Sequence, residues 1–197
     1  FVRSDSVDFH PTDVLEDADG SLLVVDTGGW YKLCCPTSQL PKPDVLGAIY
    51  RVRRKGAPRI DDPKGLRLEW GRMEPGSLVS LLDDERTCVR LRSVAELSKR
   101  GTGAIGALAA ALRYGPTPEA RRNAVWAATR IDRTEARDAC RTALGDDDDE
   151  VRLAAIHSAS ARRDAKAFPA LLQILDRGPD RLRRAAAEAL GRIGDAG

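Results

Sequence analysis

Two cysteines side by side, Cys34 and Cys35, are the residues of this chain best suited to do chemistry. Adjacent thiols can close a strained, redox-active ring or bind a metal as thiolates. Asp26, Trp30 and Tyr31 lie just upstream, so a carboxylate, two aromatic faces and two thiols share one stretch. The competing reading, that these five residues order a long loop against neighbouring structure, is preferred. Cys88 and Cys140 complete a set of four cysteines with neither CxxC zinc spacing nor a CxxCH haem-attachment motif. Within these residues we therefore assign no catalytic residue, no cofactor-binding residue and no metal ligand.

A second set of candidates is evenly spaced. Arg90, Arg121, Arg152 and Arg183 each follow a small apolar residue at steps of about 31 residues. Read functionally, they form a basic ladder on a concave surface. Read structurally, they bond to acids and carbonyls in adjacent turns while their stems cover apolar surface, and this second reading is preferred. Trp126 and His157 also hold equivalent positions, as packing or groove-edge residues, and His157 has no second histidine nearby to make a ligand pair. The acidic run Asp146 to Glu150 either caps a helix or binds a metal; it lacks the alternation with glycine of a calcium loop, so capping is preferred.

These residues need elements to position them. A shift of about 31 residues superposes Val89-Arg90, Ala120-Arg121, Val151-Arg152 and Leu182-Arg183. It also aligns Ser93, Ala124, Ala155 and Ala186, then Val94, Val125, Ile156 and Ala187, then Leu97, Ala128, Ala159 and Leu190, which is the spacing of one apolar helix face. An upstream set, Leu81, Leu112, Ala143 and Ile174, gives each unit a shorter first helix. Thr117-Pro118-Glu119 has the residue types of a helix start, and Pro179-Asp180 is expected to act similarly. A helix pair of this size cannot bury its stripe alone, so stacking must supply the core. The expected fold is mainly α: an α-solenoid of about four 31-residue helix pairs at approximately 76–106, 107–137, 138–168 and 169–197. Paired helices, the recurring arginine and small residues facing the stack resemble HEAT repeats of the short bacterial type.

Before the repeats, Phe9 to Glu16, the turn Asp17-Ala18-Asp19-Gly20 and Ser21 to Asp26 predict a β-hairpin, and Ala48 to Arg53 predicts a third strand. Residues 1–55 therefore form a small antiparallel segment with exposed edges that wants more sheet beside it. Gly56, Pro58, Pro63, Gly65, Gly71 and Pro75 mark residues 56–75 as a linker, leaving 76–197 to the repeats. Residues 1–55 are expected to be less stable than the helices.

Composition narrows the function classes. The 197 residues carry 32 basic and 30 acidic side chains, mixed along the chain, for a net charge of +2. No large single-sign field exists to hold nucleic acid or an anionic membrane, and no apolar stretch reaches the ~20 residues of a membrane span. The chain starts at Phe1, and its only methionine is Met73; it is expected to be an internal piece of a longer protein.

The order of the N-terminal residues carries a more specific likeness. Phe9 to Val14, Asp26 to Gln39 and Lys42 to Val52 resemble the last blade of a β-propeller in the PVC-type membrane-bound dehydrogenase, or haem-binding, family of planctomycete-type bacteria. In that family a propeller is followed by HEAT-like repeats and commonly by a c-type cytochrome. The resemblance implies that residues 1–55 are a partial propeller blade, that the parent is an exported, extracytoplasmic redox protein acting on a sugar or alcohol, and that a c-type haem belongs to the parent. It names as partners the remaining blades and a downstream domain of the same chain. Two functions follow: a non-catalytic interaction scaffold with a protein ligand in the solenoid groove, or one wall of a haem-linked dehydrogenase whose catalytic parts lie elsewhere. The first is preferred for these residues. A third reading, a cytosolic HEAT-type lyase or phycobilin-related protein, accounts for the repeats and leaves the strands unexplained.

Overall fold

A computed structural model describes residues 3–6, 8–29 and 44–194. The chain divides into two compact units, 1–63 and 64–197.

In the first unit, β1 (Pro11–Glu16), β2 (Leu22–Asp26) and β3 (Ala48–Val52) form an antiparallel sheet in the order β1-β2-β3. Val14 faces Val24, which faces Tyr50 across the next strand; Leu15, Leu23 and Arg51 make the adjacent row on the opposite face. Apolar residues thus lie on both faces, yet only Val24 is buried among the hydrophobic residues of the strands, and every residue of β1 is exposed. The hairpin turn is built by its acids: the Ser21 amide and hydroxyl both donate to Asp19, and Arg51 and Arg53 of the β3 end pair with Asp17 and Asp19.

The second unit contains, among the described residues, eight helices: α1 (Pro75–Val79), α2 (Thr87–Arg100), α3 (Thr102–Tyr114), α4 (Pro118–Thr129), α5 (Thr134–Thr142), α6 (Asp149–Ala161), α7 (Phe168–Arg177) and α8 (Asp180–Ile193). They form four pairs. The second helices stack in sequence, α2 on α4 on α6 on α8, while α1 and α3, then α3 and α5, make a parallel layer of first helices. This is the expected α-solenoid. The aligned small residues Ser93, Ala124, Ala155 and Ala186 are all fully buried, because the close approach of successive helices leaves no room for larger side chains. At the next aligned position Val94, Val125 and Ile156 are buried, but Ala187, on the last second helix among the described residues, is exposed.

Three details differ from the sequence expectation. The boundaries at 106/107 and 137/138 fall inside α3 and α5, because the first helices vary in length: α1 has five residues, and α5 ends in a 3-10 turn at Ala143–Gly145. Pro179 stands at the N-cap of α8 rather than in its first turn and caps nothing with its side chain. The second half of the expected linker is part of the helical core. Trp70 is buried, its indole N–H donates to the Gly65 carbonyl at 2.7 Å, and the Arg92 guanidinium lies over its ring. Gly65, at a φ of 62°, passes so close that a Cβ there would stand 2.8 Å from a Val89 methyl. Proline and glycine here shape a strap that covers the first helix pair.

Candidate functional site

Asp26 closes β2 and is 7% exposed. Its Oδ1 accepts the amide hydrogens of Gly28 (2.9 Å) and His10 (3.0 Å). The Gly28 amide first, then that of His10, hold the carboxyl below its ordinary value against the opposing effect of burial. Asp26 is therefore an ionised acceptor occupied with its own backbone. Beside it the chain crosses itself: Gly28, at a φ of 60°, would place a Cβ 2.6 Å from the Gly47 nitrogen, and the Gly29 amide donates to Val45 at 2.9 Å. Asp26 thus organises a tight neck where the excursion from β2 leaves and returns. The other candidates of that excursion, Trp30, Tyr31, Cys34 and Cys35, lie outside the described residues.

The repeated arginines sit at the starts of the second helices. Arg90 donates to the carbonyl of Asp84 at 2.6 Å, and Arg121 donates to that of Gly115, where α3 ends, at 3.1 Å. Both also reach the following repeat. Arg90 pairs with Glu119 (3.2 Å), and Arg121 grips Asp146 through Nε (2.7 Å) and Nη2 (2.9 Å). Burial alone would raise the Asp146 carboxyl, but the Arg121 fork and the Asp148 amide outweigh it and hold the group below its ordinary value. Among the described residues Arg152 pairs only with Asp149 of its own helix. Arg183 donates to the Leu175 carbonyl and pairs with Asp180 at 3.4 Å. The acidic run caps as well: Asp148 Oδ1 accepts from the amides of Glu150 and Val151.

A different set forms the outward face of the second helices. The Trp126 and His157 rings stack at a centroid distance of 6.5 Å and an interplanar angle of 22°, bridging α4 and α6. Leu91 of α2 is 64% exposed. Arg130 is exposed, and Arg122 pairs with Glu119. Leu91, Arg122 and Arg130 were not singled out by the repeat alignment, which weights shared residue type. The signal that would have found them is their spacing of three or four from the Ala95, Trp126 and His157 row.

The remaining candidates are not brought together. Cys140 is buried in the helical core, where desolvation pushes its thiol up, and Cys88 is half-buried. Among the described residues no group of three His, Cys, Asp or Glu side chains has metal-binding placement, and no helix is long and apolar enough to cross a membrane.

Comparison with known proteins adds to this geometry. A family model of HEAT repeats matches residues 105–191, which spans α4 to α7 and most of α3 and α8. No curated protein matches the chain. Among solved structures the chain is similar to the complex of CpcE and CpcF of phycocyanin lyase from a Nostoc species, at 25% identity and a TM-score of 0.49, over 70% of this chain and 59% of that one. It is also similar to a designed armadillo repeat protein in complex with the peptide (KR)4, at 21% identity and a TM-score of 0.38, over 60% of this chain and 64% of that one. Computationally designed armadillo repeat proteins for modular peptide recognition stand at 22% identity and the same TM-score and coverage. The chain spans less than two thirds of the length of each.

Proposed function

We propose that the helical unit is a non-catalytic protein-interaction scaffold, with a partner segment lying across the outward face of α2, α4 and α6. The observation that carries this reading is the Trp126–His157 stack. It is an aromatic pair spanning two repeats, made of the half-buried Trp126 and the exposed His157, in a region matched by HEAT repeats; α2 adds the exposed Leu91. Aromatic anchors framed by charged side chains are the usual source of binding energy at protein interfaces. A random peptide library displayed on phage and panned against the immobilised protein should enrich a consensus. Leu91→Asp with Trp126→Ala should abolish that enrichment while leaving the helical melting transition in place. A consensus that survives both substitutions would place the binding elsewhere and sink the reading.

The larger context rests on the likeness of residues 9–55 to a propeller blade. On that basis the sheet is the closing blade of a β-propeller, its partners are the other blades and a downstream domain, and the parent is an exported, extracytoplasmic haem-linked dehydrogenase for a sugar or alcohol. The exposed and half-buried apolar residues on both faces of the sheet accord with neighbours of this kind. Sequencing the parent gene across both ends tests it. Further blades upstream and a CxxCH downstream are expected, and their joint absence would leave the scaffold reading alone.

A further inference from the structure

The strongest unassigned feature of the first unit is a cleft of about 540 Å³ between the hairpin turn Asp19–Ser21 and the segment from Arg53 to Pro63. Leaving β3, the chain runs through Arg53, Arg54 and Lys55, turns at Gly56 and doubles back past Pro58, Arg59 and Ile60. The turn closes with the Ala57 amide donating to the Arg54 carbonyl at 3.2 Å. The cleft is lined by the apolar Ala57, Pro58, Ile60 and Pro63 and by the basic Arg53, Arg54 and Arg59.

The charges do not balance. The carboxylate lining the cleft, Asp19, is already satisfied by the Ser21 amide and hydroxyl and by Arg53 at 2.7 Å and Arg51 at 3.4 Å. Asp61 and Asp62 adjoin the cleft in sequence but do not line it. Arg54 and Arg59 are both exposed, and their guanidinium groups make no hydrogen bond or ion pair among the described residues. Two uncommitted guanidinium groups thus line one cavity together with apolar side chains. A guanidinium pairs with a phosphate or carboxylate oxygen pair through parallel N–H bonds, and the apolar lining residues suit the apolar part of the same molecule.

We propose that this cleft binds a small organic anion of the phosphate-monoester class, with its head group on Arg54 and Arg59 and its apolar portion against Pro58 and Ile60. This site is separate from the helix face and does not depend on the scaffold reading.

Isothermal titration of the full chain with phenyl phosphate and, separately, inorganic phosphate tests it, with amide NMR shifts to locate the contact. Phenyl phosphate should bind saturably and more tightly than inorganic phosphate, shifting the amides of Gly20, Ser21 and Arg59. Arg54→Ala with Arg59→Ala should weaken it at least tenfold. Arg54→Lys with Arg59→Lys, which keeps the charge and loses the fork, should weaken it several-fold and covers the case in which the alanine pair disturbs folding. Arg113→Ala with Arg184→Ala, exposed arginines of the helical unit, should change nothing. Absence of saturation at millimolar ligand, equal binding of inorganic phosphate, retention of affinity in both cleft variants, or equal loss in the Arg113 and Arg184 variant would each overturn the proposal.

Discussion

Ile49 and Ile156 are the same residue in two environments. Ile49, in β3, is 69% exposed, whereas Ile156, in α6, is fully buried. The difference comes from architecture, because each unit has comparable local signals for its own secondary structure. The inner second helices α4 and α6 touch the second helices on either side and a first helix besides, so their apolar stripes find a core within the chain. The sheet is a single layer of three strands with apolar residues on both faces, most of them half-buried or exposed. Regular hydrogen bonding is not enough to give an element a core; a second layer is needed.

This contrast sets the largest expected effect. Native-state hydrogen exchange should show amides of α4, α6 and α8 protected at least about a hundredfold more than those of β1 to β3, since protection follows the free energy of the local opening unit. Stronger protection in the strands than in the helices would break the comparison. Point truncation sharpens it. Ile156→Ala should cost ~2–5 kcal/mol in urea unfolding, the range for a buried large-to-small change. Ile49→Ala should stay within about 0.5 kcal/mol, as for exposed positions.

A smaller contrast lies inside the solenoid, between Arg121 and Arg183. The Arg121 fork on Asp146 joins consecutive repeats, and removing it strands a carboxylate that is 7% exposed on its side chain. Arg121→Ala should cost ~2–3 kcal/mol, whereas Arg183→Ala, which loses only local and half-exposed contacts, should cost under ~0.5 kcal/mol. The pair also sets a pH dependence. The folded Asp146 carboxyl sits below its ordinary value of 3.8, so below that value the unfolded chain takes up the proton first. Its contribution is therefore complete at pH values above about 4 and is lost as the pH falls through the folded value. Melting curves of Asp146→Asn should lack that acid-limb component. An unchanged acid limb would mean that other carboxylates carry it.

Much of the second-helix layer was legible because its constraint repeats: the same small residues must fit the same close approach four times, so one shift of the sequence exposes them. The first helices were less legible. Their lengths vary from five to 13 residues, and a fixed period cannot place boundaries that do not repeat. The strap at 64–74 was misread for a related reason. Gly65 and Gly71 punctuate it, but Leu68, Trp70 and Met73 pack on the core, and turn-forming residues mark where the chain bends, not whether it leaves the core. At the sites, the recurrence of arginine pointed to Arg121, but its partners are a carbonyl six residues back and a carboxylate 25 residues on, which spacing alone does not select. Arg54 and Arg59 escaped notice because the near-neutral total conceals a local excess of base beside a turn.

The smallest effect separates the two readings of the acidic run, and it does so residue by residue. Asp148 accepts two amide hydrogens at the start of α6, Asp146 holds Arg121, and Asp149 holds Arg152. Asp147 makes no hydrogen bond among the described residues and lies beside these partners. If the run caps, Asp148→Ala should cost ~1 kcal/mol, the usual loss of an N-cap side chain. Asp147→Ala should be within ~0.3 kcal/mol of neutral or slightly stabilising, because it removes repulsion between neighbouring carboxylates without removing a bond. Adding millimolar calcium should leave both melting temperatures unchanged. If the run instead held a cation, the acids would act together: each substitution would matter to a similar degree, and calcium would stabilise the unsubstituted chain by mass action on the folded state. Unequal effects at Asp148 and Asp147 without calcium dependence would assign the run to the helix end, where negative charge meets the positive end of the dipole.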